Sequence, residues 1–199
     1  MEIYETETPS GPARVHLGAA EGRKGLLVLG HGAGGVVGAP DLTIAAEVAK
    51  AAGMSVALVE QPYRVAGRRA PPPPSRVDPA WLAVVEELRE RLGDPRPLVT
   101  GGRSFGARVA CRTAADTGAD AVLCLAFPEH PPGKPEKSRM EELEAVEVPV
   151  LVVQGKSDPF GMPTASGLRE VVAIKGNHSL KSDLDGLGET VASWLARIL

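Results

Sequence analysis

Ser104 lies in the pentapeptide Gly102-Arg103-Ser104-Phe105-Gly106, which follows a short apolar run at 97–100 and opens a helix-like segment at the serine itself. A G-x-S-x-G pattern between strand and helix puts the serine on a strained turn, where the two glycines let strand and helix approach and the hydroxyl stands clear of the sheet. The helix N-terminus beneath it favours negative charge on an attacked carbonyl oxygen. A serine hydroxyl is nevertheless a poor nucleophile at neutral pH until a histidine takes its proton and an acid orients that histidine. Both partners occur downstream. The apolar run 148–154 leads into Gly155-Lys156-Ser157-Asp158-Pro159, with one carboxylate, and the run 171–175 leads into Gly176-Asn177-His178-Ser179, with one histidine. Ser104, Asp158 and His178 thus each fall just beyond a predicted strand, where open parallel sheets place their chemistry.

A loop stripped of side chains follows an earlier strand run at 26–29. It reads Gly30-His31-Gly32-Ala33-Gly34-Gly35. Backbone N–H groups in such a loop can point at a substrate oxygen, and the candidate donors are Ala33 or Gly34 together with Phe105, the residue after the serine. The same loop spells G-x-G-x-x-G, a dinucleotide-binding pattern, and Glu60 closes the next strand run. That pattern must open a helix directly so that the helix N-terminus holds a pyrophosphate. Here residues 36–39 intervene before a helix start at Pro40-Asp41, so the loop reads as an oxyanion hole and no cofactor is implied.

Three side chains near these loops are candidate substrate contacts: His31, Arg103 and Tyr63. His31 also reads as a brace that holds the oxyanion loop by hydrogen bonds. Arg103, with the arginines of 63–76, is a candidate attractor of an anionic acyl substrate, and equally a structural arginine in a solvated charged stretch. His16 is expected to face solvent. No spacing of His, Cys and carboxylates suggests a metal site.

The elements that must position these groups alternate. Arg14, Val15, His16 and Leu17 alternate in polarity, as in an edge strand with one wet face. The runs 26–29, 55–60, 98–101, 121–127, 148–154 and 171–175 are continuously apolar, as in parallel strands covered on both faces. Between them, Asp78-Pro79-Ala80-Trp81 reads as a helix start, with Trp81, Val84, Val85, Leu88 and Leu92 as an apolar stripe that Gly93 ends. A last helix at about 183–199 repeats the stripe through Leu184, Leu187, Val191, Leu195 and Ile198. Residues 63–76, with four consecutive prolines, read as a stiff extended loop. Residues 127–147 hold one short helical stretch at 138–145 and are too few for a cap domain, so the site should be open. The expected fold is α/β: a three-layer α/β/α sandwich around a mostly parallel sheet, in one domain spanning 1–199.

Bulk properties narrow the function classes. With 199 residues and 43% hydrophobic content, the chain is long enough for one well-buried core. A net charge of −3 gives no basic field to attract nucleic acid. No run is long enough to span a bilayer, and the acidic start lacks the basic and apolar regions of a signal peptide, so a cytoplasmic protein without a membrane partner is expected. The two cysteines, Cys111 and Cys124, read as small buried hydrophobes. A homodimer through an edge strand or the terminal helix stays open.

The chain resembles α/β-hydrolases, whose nucleophile, acid and histidine follow one another in the order Ser104, Asp158, His178. More narrowly it is similar to the compact group that includes the testis-expressed and NSL-complex-subunit-3-like proteins, through residues 31–35, 61–67, 101–106, 127–133, 154–161 and 178–180. The resemblance implies an α/β-hydrolase fold without a cap and a cofactor-independent serine hydrolase of small esters, thioesters or related acyl compounds. Because that group contains a complex subunit, it also leaves open a non-catalytic scaffold or binding subunit. A histidine base must be neutral, so such an enzyme is expected to gain activity as pH rises through about 6 to 7.

Overall fold

A computed structural model describes residues 1–22 and 24–199. Among them, β1 (Glu2–Thr6), β2 (Ala13–Gly18), β3 (Leu26–Gly30), β4 (Ser55–Glu60), β5 (Leu98–Arg103), β6 (Ala121–Leu125), β7 (Val150–Gly155) and β8 (Arg169–Ile174) form one sheet. The helices are α1 (Pro40–Ala51), α2 (Pro62–Val65), α3 (Pro74–Leu92), α4 (Phe105–Arg112), α5 (Ala114–Thr117), α6 (Met140–Glu144) and α7 (Leu184–Ile198). The spatial order is β1-β2-β4-β3-β5-β6-β7-β8; β1 and β2 run antiparallel to their neighbours and the rest are parallel. This is the α/β-hydrolase architecture, with no cap over the sheet.

Alternation along the strands divides the core into two layers. Leu27 and Leu29 face the layer that holds Leu42, Ala45 and Ala49 of α1 and Leu187, Val191 and Leu195 of α7. Leu26 and Val28 face the other layer, against Val77, Trp81, Val84, Val85 and Leu88 of α3. The same side continues under α4, where Ala107, Ala110 and Cys111 meet Val122, Cys124 and Val152. The stripes expected from sequence are therefore the buried faces of α3 and α7. Gly93 ends α3 in the left-handed region at φ 75°, and Asp183 caps α7 by accepting from Gly186 N–H at 3.1 Å.

Several expectations are corrected. The 14–17 strand is not an edge: β1, a strand that its acidic residues Glu2 and Glu5 did not signal, covers it. His16 does not face open solvent but meets Glu60 Oε1 at 2.7 Å across the β2–β4 pair. The 171–175 run forms the far edge, β8, and is only partly buried. The helix expected from Asp78 begins at Pro74, and Pro79 lies inside it. The proline run itself supplies the start, since proline suits a first helical position, and burial of Val77 extends the apolar stripe backwards. Residues 63–76 are thus not wholly extended, because α2 also folds there and buries Tyr63.

Chain direction reverses its spread at β3. The chain leaves β3 for β4 on one side, then returns to β5 on the other and continues through β6, β7 and β8. Ligand crevices form outside the strand ends at such a switch point. Here the crevice opens only because β3, β5 and α4 nearly touch. A Cβ on Gly106 would fall within contact of the Gly30 carbonyl oxygen, and one on Gly102 would do the same. Alanine is a better helix former than glycine by about 1 kcal/mol, so a loss in Gly106→Ala isolates the steric conflict. Urea denaturation is expected to show this variant less stable by about 1–3 kcal/mol, the cost of overpacking.

Candidate active site

Ser104 follows β5 directly and precedes α4, with φ 53° and ψ −103°. A side-chain-bearing residue at positive φ is strained by about 1–3 kcal/mol and persists only where its surroundings fix it. Those surroundings are the Ser104 N–H donating to the Leu125 carbonyl at 2.8 Å and the crossing glycines behind. The turn holds Oγ 2.9 Å from His178 Nε2. The other ring nitrogen, Nδ1, lies 2.8 Å from Asp158 Oδ2. The structure therefore brings Ser104, His178 and Asp158 into one hydrogen-bonded chain.

The two partner loops are laced together. Lys156 N–H donates to the Ile174 carbonyl at 2.9 Å and Ser157 N–H to the Gly176 carbonyl at 2.9 Å. Gly155 permits this approach, since a Cβ there would stand 2.7 Å from the Gly176 oxygen. The Asp158 carboxylate has further donors besides the imidazole: Phe160 N–H at 2.9 Å on Oδ1 and Gln154 Nε2 at 2.8 Å on Oδ2. Gln154 also donates to the Phe127 and Gly161 carbonyls, so its amide can face only one way. Phe160 stacks on the His178 ring, with centroids 3.9 Å apart and planes at 24°.

Sequence reasoning passed over Gln154 and Phe160. Each left a signal. Gln154 is the polar residue at the end of an apolar run, fully buried, and a buried amide needs partners. Phe160 belongs to a set of three phenylalanines in the whole chain, each lying just after a strand of the parallel sheet.

Ala33, Gly34, Ser104, Phe105 and His178 all line one cleft of about 510 Å³. Phe105 is the first residue of α4, so its N–H has no acceptor within the helix and is free to face an oxyanion. Ala33 is held in place from behind: the Tyr63 hydroxyl donates to its carbonyl at 2.6 Å, and Gly35 N–H donates to the Gly32 carbonyl at 2.9 Å. This fixes the loop on the switch point, beside the serine.

The three candidate substrate contacts separate. Arg103 lines the cleft, but its guanidinium is committed: Nη2 donates to the His178 carbonyl at 3.0 Å, and Nε lies 2.9 Å from Asp41 Oδ2. That ion pair is poorly aligned as a hydrogen bond, leaving Oδ2 without a well-directed donor. Burial pushes the Asp41 carboxyl above its ordinary value, and Arg103 pulls the other way. Tyr63 is buried behind the 30–35 loop and is not a cleft residue; it borders a separate pocket of about 150 Å³. His31 is buried, with Nδ1 2.8 Å from the Gly32 carbonyl and Nε2 accepting from Gln61 N–H at 3.1 Å. Both act on the loop from inside the protein, so neither is placed to touch a substrate.

Among the described residues no cluster of His, Cys, Asp and Glu could hold a metal ion, and no helix is long and apolar enough to cross a membrane. Cys111 and Cys124 are buried free thiols whose Sγ atoms lie 3.5 Å apart, within hydrogen-bond distance of each other.

A parallel sheet with a serine on a strand–helix elbow and a histidine and carboxylate on later loops defines a protein of the α/β-hydrolase class. The chain belongs to the family described as the alpha/beta hydrolase domain, whose model matches residues 23–194. No curated protein sequence matches it. Solved structures share the fold at low identity. An α/β serine hydrolase without lid from Xanthomonas campestris superposes with a TM-score of 0.81 at 22% identity, covering 100% of this chain and 94% of that one. A serine hydrolase homologue from Coxiella burnetii gives 0.80 at 18% identity, covering 98% and 97%. Est1E from Butyrivibrio proteoclasticus gives 0.79 at 15% identity, covering 99% and 98%.

The bonds of His31 carry a pH dependence. Because Nδ1 faces a carbonyl and Nε2 accepts a backbone N–H, the folded chain needs the neutral ring, and burial lowers its pKa below the ordinary 6.5. As pH falls below about 6.5 the unfolded chain takes up a proton that the folded chain refuses, so stability declines with acidification. Denaturant titrations at pH 7.5 and 5.5 should show this loss, at most about 1.4 kcal/mol per pH unit from this group. The part due to His31 should vanish in His31→Gln.

Proposed function

We propose that the protein is a serine hydrolase of small esters or thioesters. The observation that carries this reading is the continuous hydrogen-bonded chain from Asp158 through His178 to Ser104, with contacts of 2.8 and 2.9 Å, at a serine raised on a positive-φ turn. His178 Nε2 takes the Ser104 proton as Oγ attacks the acyl carbonyl. The carbonyl oxygen becomes an oxyanion between the N–H groups of Phe105 and of Ala33 or Gly34, where donors that need no rearrangement stabilise the charge. The tetrahedral intermediate collapses as His178 returns the proton to the leaving alcohol or thiol. Water, activated by the same histidine, then hydrolyses the acyl-enzyme. The Asp158 carboxylate holds the Nδ1–H tautomer and balances the imidazolium.

Supporting arguments come from around the chain of three. The carboxylate is held by Gln154 and the Phe160 N–H, so the orientation of the imidazole is set before a substrate arrives. A cleft of about 510 Å³ suits a small acyl group, and the short 127–147 segment leaves it open. Among the proteins of similar fold, Est1E has been solved with ferulic acid bound, a small aromatic carboxylic acid.

A fluorophosphonate probe together with p-nitrophenyl acetate turnover tests the reading. Wild type is expected to be labelled once and to release p-nitrophenol. Ser104→Ala should lose labelling and lower kcat by about 10⁶-fold, below detection in most assays. Asp158→Asn should keep the fold and lower kcat by about 10⁴-fold, because the amide favours the wrong tautomer. A folded wild-type chain that neither labels nor turns over would leave the scaffold reading in its place.

A further inference from the structure

The cleft beside Ser104 carries an unusual concentration of arginine: Arg103, Arg108, Arg112 and Arg139 all line it. Those four are not equivalent. Arg103 is paired with Asp41. Arg108 makes a bidentate pair with Glu142 at 2.7 and 2.6 Å, and Arg112 makes one with Asp78 at 2.8 and 2.6 Å while also reaching Glu142 at 3.2 Å. Arg139 is left over. Its backbone is fixed, the N–H donating to the Glu129 carbonyl at 2.7 Å, but among the described residues its guanidinium has no hydrogen-bond or ion-pair partner. The arginines of 64–76 singled out from sequence do not line the cleft; the cations arrive from the end of β5, from α4 and from the segment before α6.

The local charge balance is therefore uneven. Glu142 and Asp78 answer Arg108 and Arg112 and Asp41 answers Arg103, while Arg139 has only the unbonded attraction of Glu142, a carboxylate that two other guanidiniums already share. Arg139 is partly buried; that burial and the nearby Arg108 act against its charge, and outweigh the opposing pull of Glu142. An anion entering the cleft would relieve this repulsion, and a guanidinium matches a carboxylate with two parallel N–H bonds. The remaining wall is apolar, formed by Pro71, Pro72, Phe105 and Phe160, and suits the carbon chain of an acyl group.

We propose that the cleft selects acyl esters that carry a carboxylate, and that Arg139 is the specificity-determining residue that receives it. This inference rests on the serine hydrolase reading and adds the substrate class to it. Of the opposing charges, Glu142, Asp78 and Asp41 are engaged by Arg108, Arg112 and Arg103, and the Asp158 carboxylate sits behind His178 with its side chain fully buried.

The test compares the p-nitrophenyl monoester of glutaric acid with the same compound bearing a methyl ester on its far end, reading p-nitrophenol release. Ser104→Ala protein supplies the background rate. Wild type is expected to favour the acid in kcat/KM by about tenfold or more, the scale of one charge-assisted hydrogen-bonded pair, with the preference shrinking as salt is raised. In Arg139→Gln the ratio should fall toward one, and in Arg139→Lys part of it should survive. Thermal unfolding checks that both variants fold. As a readout on wild type alone, glutarate should slow fluorophosphonate labelling of Ser104 where glutaramide does not. A wild-type enzyme that hydrolyses both esters equally, or prefers the neutral one, overturns the proposal and leaves the hydrolase reading standing. An acid preference that survives in Arg139→Gln overturns the assignment to Arg139. A folded chain that neither releases p-nitrophenol from either ester nor labels at Ser104 removes the hydrolase reading and this inference with it.

Discussion

The structure depends on a place where three backbone segments cross without side chains between them. Gly30 ends β3, Gly102 lies near the end of β5 and Gly106 sits in the first turn of α4, and any Cβ at the latter two would meet the Gly30 carbonyl. Because helix and strand can come this close, the chain between them must turn sharply, and the residue at the turn is forced to φ 53°. Serine pays a conformational penalty there that glycine would not. What it gains is exposure of its hydroxyl at a helix N-terminus, beside the loop from β3. The same crossing sets the place of Ser104 relative to Ala33 and Phe105, so the proposed nucleophile and the proposed oxyanion donors are positioned by one constraint.

Around this crossing, the imidazole is held on several sides. Asp158 fixes it through Nδ1, Phe160 stacks against its face, and Arg103 binds its backbone carbonyl. Asp158 is itself tied to Gln154 and to the Phe160 N–H. Groups restrained in this way need little reorganisation when charge develops, which is where electrostatic catalysis gains most. Arg103 links the two halves of the site: one end touches the loop carrying His178 and the other meets Asp41 in the first turn of α1, below the oxyanion loop. It is a strut, and its charge is largely spent on that task.

Much of this was legible in the residues. The continuously apolar runs located six strands, because a strand covered on both faces has no polar side to show. The G-x-S-x-G elbow, the single carboxylate after β7 and the single histidine after β8 picked out the three residues that the fold brings within hydrogen-bonding distance. Other features were hidden for physical reasons. β1 escaped because its side chains are half exposed and acidic, and its place comes from pairing with β2. The start of α3 escaped because proline runs are compatible with both an extended segment and a first helical turn, and burial of Val77 and Trp81 decided between them. His31 reads from sequence both as a substrate contact and as a brace of its loop, and Tyr63 as a substrate contact; the fold buries both behind that loop.

The sequence by itself determined the order and spacing of strands, the glycines that permit the close crossing, and the chemical types available at each strand end, since these follow from local pattern and from what each side chain can do. Only the tertiary structure decided which groups meet. Phe160 on His178, and the pairing of Arg108 and Arg112 that leaves the Arg139 guanidinium without a hydrogen-bond partner among the described residues, depend on distances between separate segments of the chain. Charge pairing is a matter of a few ångströms in space, and no periodicity along one chain encodes which acid will lie beside which arginine.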